Sequence, residues 1–242
     1  MSSVAENLEH VKQRIRQAAE ACQRSPESIR LIAVSKRQPA AAIREAFAAG
    51  QRDFGENYVQ ELQQKAEELA DLAGLRWHMI GHLQRNKAKH VVQVASAVHA
   101  VDSVELAFEL DKRAKDFPVA PSRRLTISGR ALDARLPVLI EVNVGAEEQK
   151  SGCEVSALGP IIEGVGACAH LQLVGLMTVP PFTDEPADCK PYFEQLALAQ
   201  ARHGGPARLP ELSMGMTLDL EYAVAAGATM VRVGTAIFGE RA

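Results

Sequence analysis

LIAVSKRQPAAAIREAFAAG, residues 31–50, decides the fold. The apolar run at 31–35 reads as a buried strand, Pro39 opens a helical pattern, and Gly50 stops it. Further apolar runs suited to strands stand at 52–56, 76–81, 97–102, 137–144, 171–179, 211–215 and 230–235. Helical patterns separate them at 39–49, 57–70, 83–92, 104–114, 157–166, 187–201 and 218–226, and a last short turn at 236–241 follows the eighth strand. A further amphipathic helix at 4–22, with Val4, Leu8, Val11, Ile15 and Ala18 on one face, precedes the first strand.

Strands that alternate with helices predict a parallel sheet with right-handed crossovers. The continuous apolar run PVLIEVNV at 137–144 fits a strand buried on both faces. Eight such units predict a closed (β/α)8 TIM-type barrel with an extra N-terminal helix, rather than an open doubly wound sheet. The expectation is a single domain over residues 1–242. The segment 116–136, with two prolines and four arginines, breaks the rhythm and reads as a surface insertion, with an anion- or partner-binding flap as the rival reading.

A net charge of −3 gives no general attraction to nucleic acid or anionic membrane. The basic run HLQRNKAKH at 82–90 has no aromatic platform and reads as a solvated helix face. The longest apolar runs fall far short of a membrane span, and the charged N-terminus lacks the apolar stretch of a signal peptide. Cys22, Cys153, Cys168 and Cys189 form no CxxC pair and suit free thiols in a reducing compartment, so no metal site and a cytoplasmic location are expected. With no long edge strand or apolar interface patch legible, a monomer is expected.

In a parallel barrel, chemistry gathers where strands end. Those positions hold Lys36, Glu56, Asn57, Gly81, His82, Asp102, Asn143, Met177 and Thr178, then Ser213-Met214-Gly215 and Arg232-Val233-Gly234-Thr235. The last two groups have the composition of a phosphate site: hydroxyls from Ser213 and Thr235, close backbone approach at Gly215 and Gly234, and a helix N-terminus after Gly234. Taken singly, each also fits an ordinary tight βα turn. A lysine at a strand end is commonly a solvated side chain; directed into the barrel mouth, it becomes a nucleophile. Lys36 facing a phosphate cradle suggests a phosphorylated aldehyde held as an imine, with pyridoxal 5′-phosphate the obvious candidate.

The segments LIAVSK, FGENYVQE, WHMIGHLQRNK, VHAVDSVELA, VLIEVNVGAEEQKSG, GLMTVPP, LSMGMTLDLEYAVAAGA and MVRVGTAIFGER run in order through nearly the whole chain. In them the sequence closely resembles the YggS/PROSC group of pyridoxal-phosphate homeostasis proteins, which share the alanine-racemase N-terminal barrel fold (fold-type III). It departs in the longer 116–136 segment and at Thr217, where a serine is common. The resemblance implies that Lys36 forms the internal aldimine and that Ser213, Gly234 and Thr235 hold the phosphate, with Met214 and Gly215 completing the loop. It also implies Arg232 beside the pyridine nitrogen and Asn57 in the cofactor pocket. Lys150 matches a second lysine sometimes linked to cofactor handling, and reads here as a loop lysine.

An arginine beside the pyridine nitrogen keeps that nitrogen unprotonated and weakens the cofactor as an electron sink. Transaminases need the strong sink; racemases do not. Racemisation needs acid–base groups on both faces of the α-carbon. Lys36 can serve one, but in alanine racemases the other is a tyrosine of a C-terminal β-domain, and the chain ends at Ala242. Tyr58, Tyr192 and Tyr222 follow a strand or lie in helical patterns. The expectation is a carrier that holds and delivers pyridoxal phosphate without robust catalysis, with apoenzymes that use the cofactor as partners. The alternative is a small fold-type III amino-acid racemase or lyase. His78, His82 and His99 read as structural histidines; Asp102 and Glu141 read either as pocket contacts or, for Glu141, as the partner of a barrel lysine and, for Asp102, more simply as a helix cap with Ser103 its rival.

Overall fold

A computed structural model describes residues 3–127, 130–147 and 149–239. Eight parallel strands close into a barrel: β1 (Arg30–Val34), β2 (Asp53–Glu56), β3 (Arg76–Met79), β4 (Ala95–Val101), β7 (Leu136–Glu141), β8 (Leu171–Met177), β9 (Glu211–Ser213) and β10 (Met230–Val233). Each strand pairs with its sequence neighbour around the barrel, and β10 returns to β1 with Ile32 opposite Arg232. The strands β4 and β7 are buried along their whole length, as their unbroken apolar runs require when helices cover one face and the barrel interior the other. Helices α2 (Ala40–Ala48), α3 (Val59–Glu68), α4 (Ala88–Val94), α5 (Val104–Ala114), α6 (Leu158–Gly166) and α7 (Lys190–Arg202) form the outer layer. The short α8 (Gly205–Arg208), α9 (Leu220–Ala225) and α10 (Thr235–Phe238) complete it.

The extra N-terminal helix α1 (Val4–Ala21) begins at a capping box between Ser3 and Glu6 and buries Leu8, Val11, Ile15, Ala18 and Ala19. Its polar side chains grip the last units: Asn7 donates to the Ile237 carbonyl, and Arg14 to Glu221 and to the Thr217 carbonyl. The strand expected over 171–179 ends at Met177, because Thr178 turns its hydroxyl to the Val142 carbonyl and two prolines follow Val179. Of the turn expected at 236–241, residues 240–241 lie outside the described residues.

The segment 116–136 is not the plain surface insertion expected. Leu125 is fully buried in an interior cluster with Ile32, Ala97, Leu139, Val174, Met177 and Met230, where it plugs the barrel. A small antiparallel hairpin, β5 (Thr126–Ile127) with β6 (Arg130–Ala131), follows it. Arg30, at the start of β1, donates to the Thr126 carbonyl at 2.6 Å, and Arg123 donates to the Val94 carbonyl, just before β4. Those contacts fix the plug at the N-terminal end of the strands.

Candidate functional site at the C-terminal mouth

At the opposite end, a cavity of about 210 Å³ opens among the loops that follow the strands. Lys36, Asn57, Arg232, Gly234 and Thr235, all singled out from the sequence, line it together. Gln38, Val179, Met216 and Thr217 line it too, and were not among those residues. Thr217 had a signal in the sequence, as one of the two departures from the family resemblance.

The turn that carries Lys36 is tied down from below. Lys65, buried in α3, donates to the Ser35 carbonyl at 2.5 Å and pairs with Glu56 at 2.8 Å and Glu61 at 2.6 Å. The Ser35 hydroxyl donates to Glu56, the Arg37 amide to Glu61, and the Gln38 amide to the Ser35 carbonyl. Burial pushes the Glu56 carboxyl up, and the ammonium of Lys65 opposes that. Lys36 is half-buried and lines the cavity, on a turn whose backbone is fixed from below. Asn57 reaches the cavity because Gly81 lets the neighbouring chain approach: a Cβ there would stand 2.5 Å from the Asn57 carbonyl oxygen.

Arg232 is held on two sides. Its Nη1 donates to the Ser213 hydroxyl and its Nη2 to the Thr178 carbonyl, each at 2.8 Å. Burial pushes the guanidinium down to about 10, with Glu141 and Asp219 working against the fall, so it remains a cation at neutral pH. Among the described residues no lysine pairs with Glu141, one of its two expected roles; its Oε2 is buried without a hydrogen-bond partner. Burial raises its carboxyl to about 7, with Arg232 opposing and Asp102 adding to the rise.

Three members of the expected phosphate cradle stand apart from the residues that line the cavity. Ser213, Met214 and Gly215 do not line the cavity. The Ser213 hydroxyl lies inside the barrel between Arg232 and His99, and Met214 is fully buried. Gly215, in a left-handed conformation, gives its carbonyl to the Arg232 amide. The chain reaches the cavity only one and two residues later, at Met216 and Thr217. The helix after Gly234 is a single turn, too short to aim a substantial dipole at an anion.

Elsewhere, Ser103 rather than Asp102 caps α5, accepting from the Leu106 amide. Lys150 donates to the Pro180 carbonyl and pairs with Glu147. Tyr58 is exposed at the start of α3, and Tyr192 and Tyr222 lie on α7 and α9; none of the three lines the cavity. All four cysteines are free thiols, and no group of side chains suited to a metal ion occurs among the described residues.

The profile of the family "Alanine racemase, N-terminal domain" matches residues 7–242. A pyridoxal phosphate homeostasis protein of Pseudomonas aeruginosa is 43% identical, the match covering 100% of this chain and 97% of the relative. Its Escherichia coli namesake is 42% identical over 100% and 98% of the two chains. PipY of Synechococcus elongatus, solved with PLP bound, is 37% identical with a TM-score of 0.80, over 98% of this chain and 100% of its own. Alanine racemase from Corynebacterium glutamicum shares the fold at a TM-score of 0.67 and 16% identity; this chain spans 62% of it. The chain thus belongs to the alanine racemase N-terminal domain family and, within it, to the pyridoxal phosphate homeostasis proteins.

Proposed function

We propose that this chain binds pyridoxal 5′-phosphate at Lys36 and serves the intracellular homeostasis and delivery of that cofactor, without robust catalysis of its own. The observation that carries the reading is one cavity with Lys36 on one wall and Arg232, Thr217, Gly234 and Thr235 on others. When bound, the cofactor supplies an aldehyde that condenses with amines and a pyridine ring that takes up electrons. Lys36 offers the amine, while the Thr217 and Thr235 hydroxyls and the backbone at Gly234 suit the phosphate. Arg232 would hold the ring side of the cofactor. A buried guanidinium that stays charged keeps a neighbouring pyridine nitrogen unprotonated, which favours holding the cofactor over using it as an electron sink. The names of the relatives and the PLP-bound PipY structure support the same assignment.

The rival reading, a small amino-acid racemase or lyase, needs a second acid–base group across the cavity from Lys36. None of the tyrosines lines the cavity, which favours the carrier. We place the protein in the cytoplasm, as a single-domain monomer whose partners are apoenzymes that use the cofactor. No helix among the described residues is long and apolar enough to cross a membrane.

The test is the visible spectrum of the protein with pyridoxal phosphate, before and after borohydride, with mass spectrometry of the reduced product. A reducible band, and a mass adduct on Lys36 that Lys36→Ala abolishes, is the expected result. No adduct, or the same band in Lys36→Ala, overturns the assignment. Exchange of the α-proton of added amino acids at a rate set by Lys36 would favour the racemase.

A further inference from the structure

Arg232 is the near end of a chain of buried polar groups that crosses the barrel interior. Its Nη1 donates to Ser213 Oγ at 2.8 Å, and Ser213 Oγ meets His99 Nδ1 at 3.0 Å. His99 Nε2 lies 2.9 Å from His78 Nδ1, and His78 Nε2 lies 2.9 Å from Asp53 Oδ1. Both histidines and Ser213 are completely buried, and Asp53 is 5% exposed. At the far end, Arg76 binds both Asp53 oxygens at 2.7 and 2.6 Å, and Arg30 stands 3.3 Å away.

Hydrogen-bond accounting gives this chain one direction. Burial pushes the Asp53 carboxyl up, but the bonds from Arg76 and His78 outweigh it and hold it far below the usual carboxylate range. An ionised carboxylate only accepts, so His78 must donate from Nε2. Burial lowers both imidazoles and keeps them neutral, and the Arg232 guanidinium adds to the fall at His99. A neutral ring that donates from Nε2 accepts at Nδ1, so His99 donates from Nε2 to His78 and accepts from the Ser213 hydroxyl. Ser213, its proton committed, accepts from Arg232. Every donor therefore points from the cofactor cavity toward Asp53, and aligned bonds strengthen one another.

We propose that Asp53, acting through His78, His99 and Ser213, is a positioning residue that fixes where Arg232 presents its guanidinium in the cavity. Its relevance to the cofactor rests on the reading that Arg232 faces bound pyridoxal phosphate. Ser213 is the member of the relay that touches Arg232 directly. A residue at the N-terminal end of the barrel thereby acts on the geometry of a pocket at the C-terminal end, alongside the bond from Arg232 to the Thr178 carbonyl.

The tautomers are read by ¹⁵N NMR of the histidine rings in the ligand-free protein, wild type against Asp53→Asn. Both wild-type rings are expected to carry their proton on Nε2. An asparagine can donate to His78 Nε2, which permits the reversed direction, so the ring signals of His99 as well as His78 should shift toward the Nδ1–H form. Exchange of the Arg232 guanidinium protons should quicken by about tenfold, as should the Kd for pyridoxal phosphate rise, for loss of one charge-assisted hydrogen bond's worth of order. If His99 keeps its tautomer, or Arg232 exchange is unchanged, the relay is wrong. If Asp53→Asn does not fold, His99→Gln interrupts the same chain nearer the cavity, and its Arg232 exchange decides in the same way. Failure of the wild type to bind pyridoxal phosphate would sink the proposed function alone, since the tautomer and exchange results are read without it.

Discussion

The ammonium of Lys65 donates to the carbonyl oxygen of Ser35, the residue just before Lys36, at 2.5 Å. The loop that presents the proposed cofactor lysine is thus held by a second, buried lysine that never reaches the cavity. Lys65→Met leaves the fully buried Glu56 without its cation, and breaking such a pair costs about 3–5 kcal/mol. Urea unfolding should show that loss. Combining Lys65→Met with Glu56→Gln should recover most of it, because the stranded charge is removed with its partner.

Glu141 makes stability depend on pH. Its carboxyl titrates at about 7 in the folded protein and in the ordinary carboxylate range when unfolded. Between those values the folded state binds the extra proton, so stability falls as pH rises from about 4.5 to about 7. The contribution is about 3 kcal/mol at most. Glu141→Gln should remove this dependence and be the more stable protein at pH 8, with little difference at pH 4. Urea midpoints of both proteins across that range measure it; parallel curves would refute the assignment.

Thr217 separates the phosphate from the rest of the cofactor. If its hydroxyl meets the phosphate, Thr217→Ala should raise the Kd for pyridoxal phosphate by about tenfold and leave unphosphorylated pyridoxal unaffected. Thr217→Ser should bind as the wild type does. Fluorescence titration with both ligands distinguishes a phosphate contact from a general weakening of the pocket.

Leu125 turns the 116–136 segment from an appendage into part of the core. Leu125→Ala should cost about 2–5 kcal/mol, as truncations of fully buried leucines do. Substituting the exposed Phe117, in the same segment, should change stability by about 0.5 kcal/mol or less. Equal effects at the two positions in urea unfolding would mean that Leu125 does not plug the barrel.

The sequence by itself determined the alternation of strands and helices, because apolar periodicity and strand-ending loops are local properties. That was enough to place Lys36, Asn57, Arg232, Gly234 and Thr235 at one end of a barrel, where the structure brings them around one cavity. It was not enough for Ser213. A serine two residues before a glycine reads the same whether it points into the mouth or into the interior, and only the register against Met177 and Met230 turns it inward to His99 and Arg232. The same holds for Leu125, whose burial depends on strands far away in the chain. The chain from Asp53 to Arg232 was equally illegible, since its members lie on five different segments. Hydrogen bonds across a closed barrel join residues by angle around its axis and height along it, and neither coordinate exists until the last strand has paired with the first.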